Sequence, residues 1–271
     1  MTATRIRVGA QGIPIAVPVL IVAVLVAGLV NPVAAGAALV TGMLNTASGG
    51  GAIVTFLALT ATGMPALTAH ATSQLVTPAS FLGASSLVKA YQPGLAALLT
   101  GCLGTLIGVA VLTIVPPSTF RSAAPFVLVP AAILVMVQEP VKRFVQRTGH
   151  TLGPGGTYVS VLLCGVYAGL VGVGTGTLAL VVLGLTPGFA NASLRDLLRT
   201  RNVLLLGMAL LVAVAFAITG LASWSLAAAM VLPGAVGGWI GTRLVGRLPV
   251  PVLQGGVVFT AIAGAVWMAF R

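Results

Sequence analysis

Asn45-Thr46-Ala47-Ser48-Gly49-Gly50-Gly51, with Thr55 following, sits between two apolar runs, residues 33–44 and 52–61. Each run is too short to cross a bilayer alone, because a spanning helix needs roughly 20 apolar residues. Three consecutive glycines oppose a helix through their backbone entropy. The chain is therefore predicted to break here, at membrane depth. Such a break survives in hydrocarbon only where protein or a water-filled cavity satisfies the freed amides. An Asn, two Thr and a Ser beside the break suit an anion or a polar solute better than lipid.

The rest of the composition supports a membrane setting. The 271 residues are 58% hydrophobic and 6% charged, with a mean hydropathy of +1.15. A soluble domain carries about a quarter charged residues, so an all-α polytopic membrane protein is expected, with the lipid bilayer as its partner. Only Glu139 and Asp196 are acidic, against thirteen Lys and Arg, for a net charge of +11. The basic residues stand singly at the ends of apolar runs, which marks topology determinants rather than a nucleic-acid surface. Cys102 and Cys164 lie inside apolar runs and read as small packing residues. No paired carboxylates, Cys/His cluster or Ser-His-Asp arrangement is visible. Gly172-Val173-Gly174-Thr175-Gly176, with Asp196 about 20 residues on, mimics a dinucleotide fingerprint but lacks its βαβ setting. No enzyme activity, cofactor or metal is expected.

In chain order, residues 13–30 form a first apolar run, read as a retained span rather than a signal peptide. The broken pair 33–47 and 50–62 comes next. Spans are then expected at 66–88, 94–115 and 122–138, and residues 139–157 form the longest polar connection. The second half repeats the first. Gly42 and Gly49 recur as Gly169 and Gly176, both 127 residues later; Gly101, Gly104, Gly108 and Pro116 recur as Gly234, Gly237, Gly241 and Pro249, all 133 residues later. Small-xxx-small spacing is common in membrane helices, but that explains one such block, not two in the same order. The second break is Gly172 to Thr177, flanked by 157–171 and 178–185; spans follow at 190–219, 224–242 and 250–270. The organisation is thus an additional helix at 1–31, a first repeat at 32–140, a cytoplasmic linker at 141–155 and a second repeat at 156–271.

The basic residues decide how the broken pairs lie. If each pair enters and leaves on one side and the N-terminus is cytoplasmic, eleven cations (Arg5, Arg7, Lys89, Lys142, Arg143, Arg147, Arg195, Arg199, Arg201, Arg243 and Arg247) fall inside and two, Arg121 and Arg271, outside. If each pair crosses, neither orientation keeps the central loop, the 195–201 cluster and Arg243/Arg247 together. Two re-entrant hairpins and about seven transmembrane helices follow. Each repeat then has one hairpin and three spans, so the two repeats are inverted. Paired helix breaks in an inverted repeat point to a transporter with a mid-membrane site.

Two motifs carry a family resemblance. Gly42-Met43-Leu44-Asn45-Thr46-Ala47-Ser48-Gly49-Gly50-Gly51, followed by Ala69-His70-Ala71-Thr72, resembles the first-half signature of the sulfite exporter family TauE/SafE. Gly165-Val166-Tyr167-Ala168-Gly169, continuing through Gly172 to Thr177, resembles its second-half signature. The resemblance implies movement of small sulfur-containing anions, sulfite or organosulfonates such as sulfoacetate, across a bacterial inner membrane. Ser48 departs from the Ala of many relatives. Thr72-Ser73-Gln74 departs from their Thr-Asn-Lys type run, so Gln74 supplies no positive charge there.

The expected anion site is where the two tips meet. Helices restarting at Gly50-Gly51 and Gly176-Thr177 would aim their N-terminal amides at it, where the helix dipole favours negative charge. Gly49 and Gly174 allow close backbone approach. Asn45, Thr46, Ser48, Thr175 and Thr177 add side-chain hydrogen-bonding groups, with Thr72 and Gln74 from the next span. The bland role for these polar groups is capping of the broken helices. Arg199 and Asn202 share a helical face with Arg195, and buried charges usually face a pathway. The same residues also fit a channel-like facilitator for another small anion or neutral solute, or a non-transport membrane subunit. Oligomeric state is left open, a homodimer included.

Overall fold

The computed structural model describes Gly28 and residues 31–47, 49–83, 94–148, 151–189, 194–244 and 250–270. The first apolar run (Gly28 apart), Ser48, the loop from Lys89 to Pro93 and Arg247 lie outside them. Ten α-helices are described: α1 (Pro32–Ala47), α2 (Ala52–Ala61), α3 (Ala66–Gly83), α4 (Leu95–Ile114), α5 (Pro117–Thr148), α6 (Pro154–Leu170), α7 (Thr175–Leu185), α8 (Leu194–Thr219), α9 (Trp224–Leu244) and α10 (Val250–Ala269). There is no strand among the described residues.

The two glycine-rich stretches stop their helices in the same way. Gly49 takes φ +80° and Gly172 φ +70°, a left-handed backbone that residues with a Cβ avoid. The Gly49 amide donates to the Leu44 carbonyl at 3.1 Å, and the Gly172 amide to Tyr167 at 3.2 Å, the closure expected at a left-handed helix stop. After each stop the chain returns along the helix it left. The Thr41 hydroxyl of α1 donates to the Gly51 carbonyl at 2.9 Å and accepts from the Thr55 amide of α2 at 3.2 Å. In the second pair the Leu152 amide, just before α6, donates to the Leu185 carbonyl at the end of α7 at 2.8 Å. At 1.5 Å per residue, the ten residues of α2 reach about 15 Å, half the roughly 30 Å bilayer core.

Three described helices are long and apolar enough to cross a membrane: Leu95–Ile114, Asp196–Thr219 and Trp224–Arg243. α3 is less apolar because it runs through the interior, with His70, Thr72, Ser73, Gln74 and Ser80 all buried. α5 continues to Thr148, ten residues beyond the span read at 122–138. Its polar end, Lys142 to Thr148, holds Lys, Arg and Gln, which are good helix formers, so loss of hydropathy there does not end the helix.

The halves are packed crosswise. α1 lies against α9 and α6 against α4, the two most extensive helix contacts. Glycines make both possible. A methyl at Gly42 would strike the backbone of Gly234 and Gly238; one at Gly165 would strike Gly101 and Thr105. Gly237 faces Leu39 and Gly104 faces Leu162; Gly241 faces Met43 and Gly108 faces Val166. These contacts keep the 133-residue offset between α4 and α9 but set 123 residues between the broken pairs, matching Gly42 with Gly165, Gly49 with Gly172 and Gly51 with Gly174. The 127-residue register read from sequence is one helical turn too long. Residues four apart share a helix face, and Gly165 and Gly169 both lie on the packed one, so spacing alone fits either turn.

This packing makes a stability prediction. Gly104→Ala would push Cβ into the Leu162 backbone, and overpacking costs about 1–3 kcal/mol. Gly36, in α1, has nothing within 4 Å of the same position, and Ala is the better helix former there. Thermal unfolding in detergent should show Gly104→Ala melting several degrees low, and Gly36→Ala unchanged or higher.

Candidate functional site

The two breaks meet in the interior. An ideal Cβ on Gly49 would lie 2.5 Å from the Gly176 Cα, and one on Gly176 would lie 2.5 Å from the Gly49 Cα. Beside this contact is a cavity of about 30 Å³, room for about one water. Matched positions of the two broken pairs line it: Asn45 and Ala168, Gly49 and Gly172, Ala52 and Thr175. Gln74, Thr77 and Phe81 of α3 and Leu205, Met208, Ala209 and Val212 of α8 complete the wall. Ala52 and Thr175 open α2 and α7, so both helix N-termini border the space.

Of the residues expected at the site, Asn45, Gly49, Gln74, Thr175 and Gly176 line this cavity. Gly51 and Gly174 stand one step back as the residues preceding α2 and α7, and Gly50 is buried between Gly49 and Gly51. The others have different employment. The Thr46 hydroxyl contacts the Gly42 and Met43 carbonyls at 3.2 Å and Gly238 of α9 at 3.4 Å, holding α1 to α9. The Thr72 hydroxyl donates to Thr68 at 2.7 Å and accepts from the Ser223 amide at 2.9 Å, ahead of α9. Thr177 is buried but is not in the cavity wall. The Thr175 hydroxyl is turned back on the Gly172 carbonyl at 2.8 Å. Arg199 is part-exposed and lies 4.0 Å from Asp196, at the start of α8.

The residue that sequence reasoning missed is Arg201. Counted there with the cytoplasmic cations, it is 0% exposed. Its Nη2 donates to the Thr46 carbonyl at 2.9 Å and to the Asn45 carbonyl at 3.4 Å, at the C-terminal end of α1. The Asn202 side-chain oxygen accepts from Arg201 Nε at 3.1 Å and from Nη2 at 2.8 Å. Asn202, expected to face a pathway, thus has its side-chain oxygen on the guanidinium. Arg201 Nη1 is buried with no hydrogen-bond partner, and so is Asn45 Nδ2. A buried donor left unmade costs about 1–3 kcal/mol, more when charged. Among the residues whose burial is described, Arg201 is the one buried Lys, Arg, Asp or Glu, and the ion pair described, Arg199–Asp196, does not include it. The signal available in sequence was its depth, two residues beyond Arg199 on a long apolar run.

His70, buried in α3, is wedged between Phe56, Phe120 and Phe216, with ring centroids 6.3, 5.5 and 5.8 Å away. It borders a separate apolar cavity of about 230 Å³ with Leu112, Leu128 and Val173.

No curated protein and no solved structure gives a significant match to the chain. A family model, described as Sulfite exporter TauE/SafE, matches residues 33–268, nearly the whole chain and both breaks. With its apolar helices and this match, the chain is a multi-pass membrane protein that belongs to the sulfite exporter TauE/SafE family of membrane transporters.

Proposed function

We propose that the protein carries a small sulfur oxyanion, sulfite or an organosulfonate, outward across a bacterial inner membrane by alternating access. The observation that carries this reading is the pair of buried donors without acceptors, Arg201 Nη1 and Asn45 Nδ2, beside the meeting point of the breaks. A dry, uncompensated guanidinium is expensive, and an anion is the group that satisfies it. The N-termini of α2 and α7 add partial positive charge from two directions. The reading takes each broken pair as a re-entrant hairpin, the halves as inverted repeats and the N-terminus as cytoplasmic. The Leu152–Leu185 bond and the crosswise matching of glycine contacts support it. The 30 Å³ cavity is then the closed, unloaded site, since an oxyanion of four heavy atoms needs more room than one water and the walls must part to admit it. Export needs no acid, because an inside-negative potential drives an anion outward by about 2.3 kcal/mol per charge per 100 mV.

Proteoliposomes offered sulfite, ethanesulfonate, taurine and acetate test the reading. Saturable flux and counterflow are expected for sulfite and ethanesulfonate, and little for the zwitterion taurine or for acetate. Absence of counterflow with every sulfur anion, or equal handling of acetate, would overturn it.

A further inference from the structure

We infer that the site is built for singly charged anions and that Gln74 sets this limit; the inference rests on the anion-site reading above. Each broken pair is held at its tip by a side chain from the other half. Arg201, on α8, reaches the Asn45 carbonyl of the first pair at 3.4 Å. Gln74, on α3, reaches the Ala168 carbonyl of the second pair at 3.4 Å. Asn45 and Ala168 are matched positions by the 123-residue offset that the glycine contacts set, and both line the cavity. The same job is therefore done twice, once by a cation and once by a neutral amide.

The charge count of the site follows. Arg201, one step behind the wall on the Asn45 and Thr46 carbonyls, supplies one positive charge; Gln74, in the wall, supplies none. The rest of the wall is largely apolar, with Phe81, Leu205, Met208 and Val212. A single negative charge leaves the loaded site neutral. A second negative charge would be enclosed with no cation, in surroundings that penalise unpaired ions heavily. Sulfonates with a second acid group, sulfoacetate included, are then poor cargo beside simple sulfonates. Gln74 is placed to change this. It lies in the wall, its amide also packs on Gly172, and its side-chain oxygen accepts from Thr77 at 3.3 Å. A lysine there would put a second cation at the second tip.

The test compares ethanesulfonate with 1,2-ethanedisulfonate, which differ in charge at any working pH, in proteoliposomes with the membrane potential clamped at zero. The wild type is expected to favour the monoanion by at least about tenfold, the factor set by 1.4 kcal/mol. Gln74→Lys is expected to narrow or reverse that ratio. The exchange Gln74→Arg with Arg201→Gln, which keeps one cation, is expected to keep the wild-type preference in whatever flux remains. A wild-type ratio near one would overturn the inference, as would an active Gln74→Lys protein with an unchanged ratio. The wild-type ratio decides even if neither variant inserts. If Arg201→Gln alone transports ethanesulfonate normally, the anion-site reading fails instead; if it is dead while the wild-type ratio is one, only the charge limit fails.

Discussion

Arg201→Gln is expected to abolish anion flux while the protein still inserts and folds. Removing one partner of a buried charge-assisted contact costs about 2–5 kcal/mol, or roughly thirtyfold to several thousandfold in binding. The stability effect should run the other way. In the unloaded protein the guanidinium is buried with Nη1 unsatisfied, so its removal relieves a desolvation cost even as two bonds to the end of α1 are lost. Thermal unfolding of substrate-free Arg201→Gln should therefore match or exceed the wild type, and added sulfite should no longer raise the melting temperature as ligand linkage requires. Arg201→Lys keeps the charge but not the planar fork that reaches Thr46 and Asn202 together. Its flux should be intermediate. A purely structural cap behaves differently: Arg201→Gln would melt low, and the surviving protein would transport normally.

The second large effect is expected at the contact between the tips. Gly176→Ala places a methyl 2.5 Å from the Gly49 Cα, and the obstacle is backbone that cannot rotate away. The tips must separate, and displacements near 1 Å commonly cost function about a hundredfold. Gly176→Leu should remove flux entirely. Gly49→Ala meets the same obstacle and also forces a side chain into φ +80°, a strain of roughly 1–2 kcal/mol. It should lose stability as well as flux, whereas Gly176→Ala loses mainly flux. Gly255, with nothing within 4 Å of a built Cβ, is the control: Gly255→Ala should transport normally. Unchanged flux in Gly176→Leu would remove the tips from the mechanism.

Particular residues show what could be read ahead of the coordinates. The Gly49-Gly50-Gly51 break was legible because glycine's cost in a helix is local and needs no knowledge of neighbours. The second break, the helix boundaries near 95–114 and 224–244, and the glycine blocks on α4 and α9 were legible for the same reason. The register between the broken pairs was not, because one helical turn moves glycine onto glycine and only contact with α9 and α4 tells Gly165 from Gly169. Thr46 and Thr72 looked like ligand groups because a hydroxyl's partners cannot be known from its own position. Both turn out to be spent on α9 or the turn ahead of it.

By itself, then, the sequence determined what depends on short-range chemistry: an apolar helical chain, punctured twice by glycine, with small residues spaced for close helix contact. The folded arrangement alone decided which charge is buried. Arg199 and Arg201 are two positions apart on one helix, about 200° around its axis, so one lies part-exposed near Asp196 and the other is enclosed against the end of α1. Which side of α8 faces the breaks is set by the crosswise packing of the halves, and no local preference encodes it.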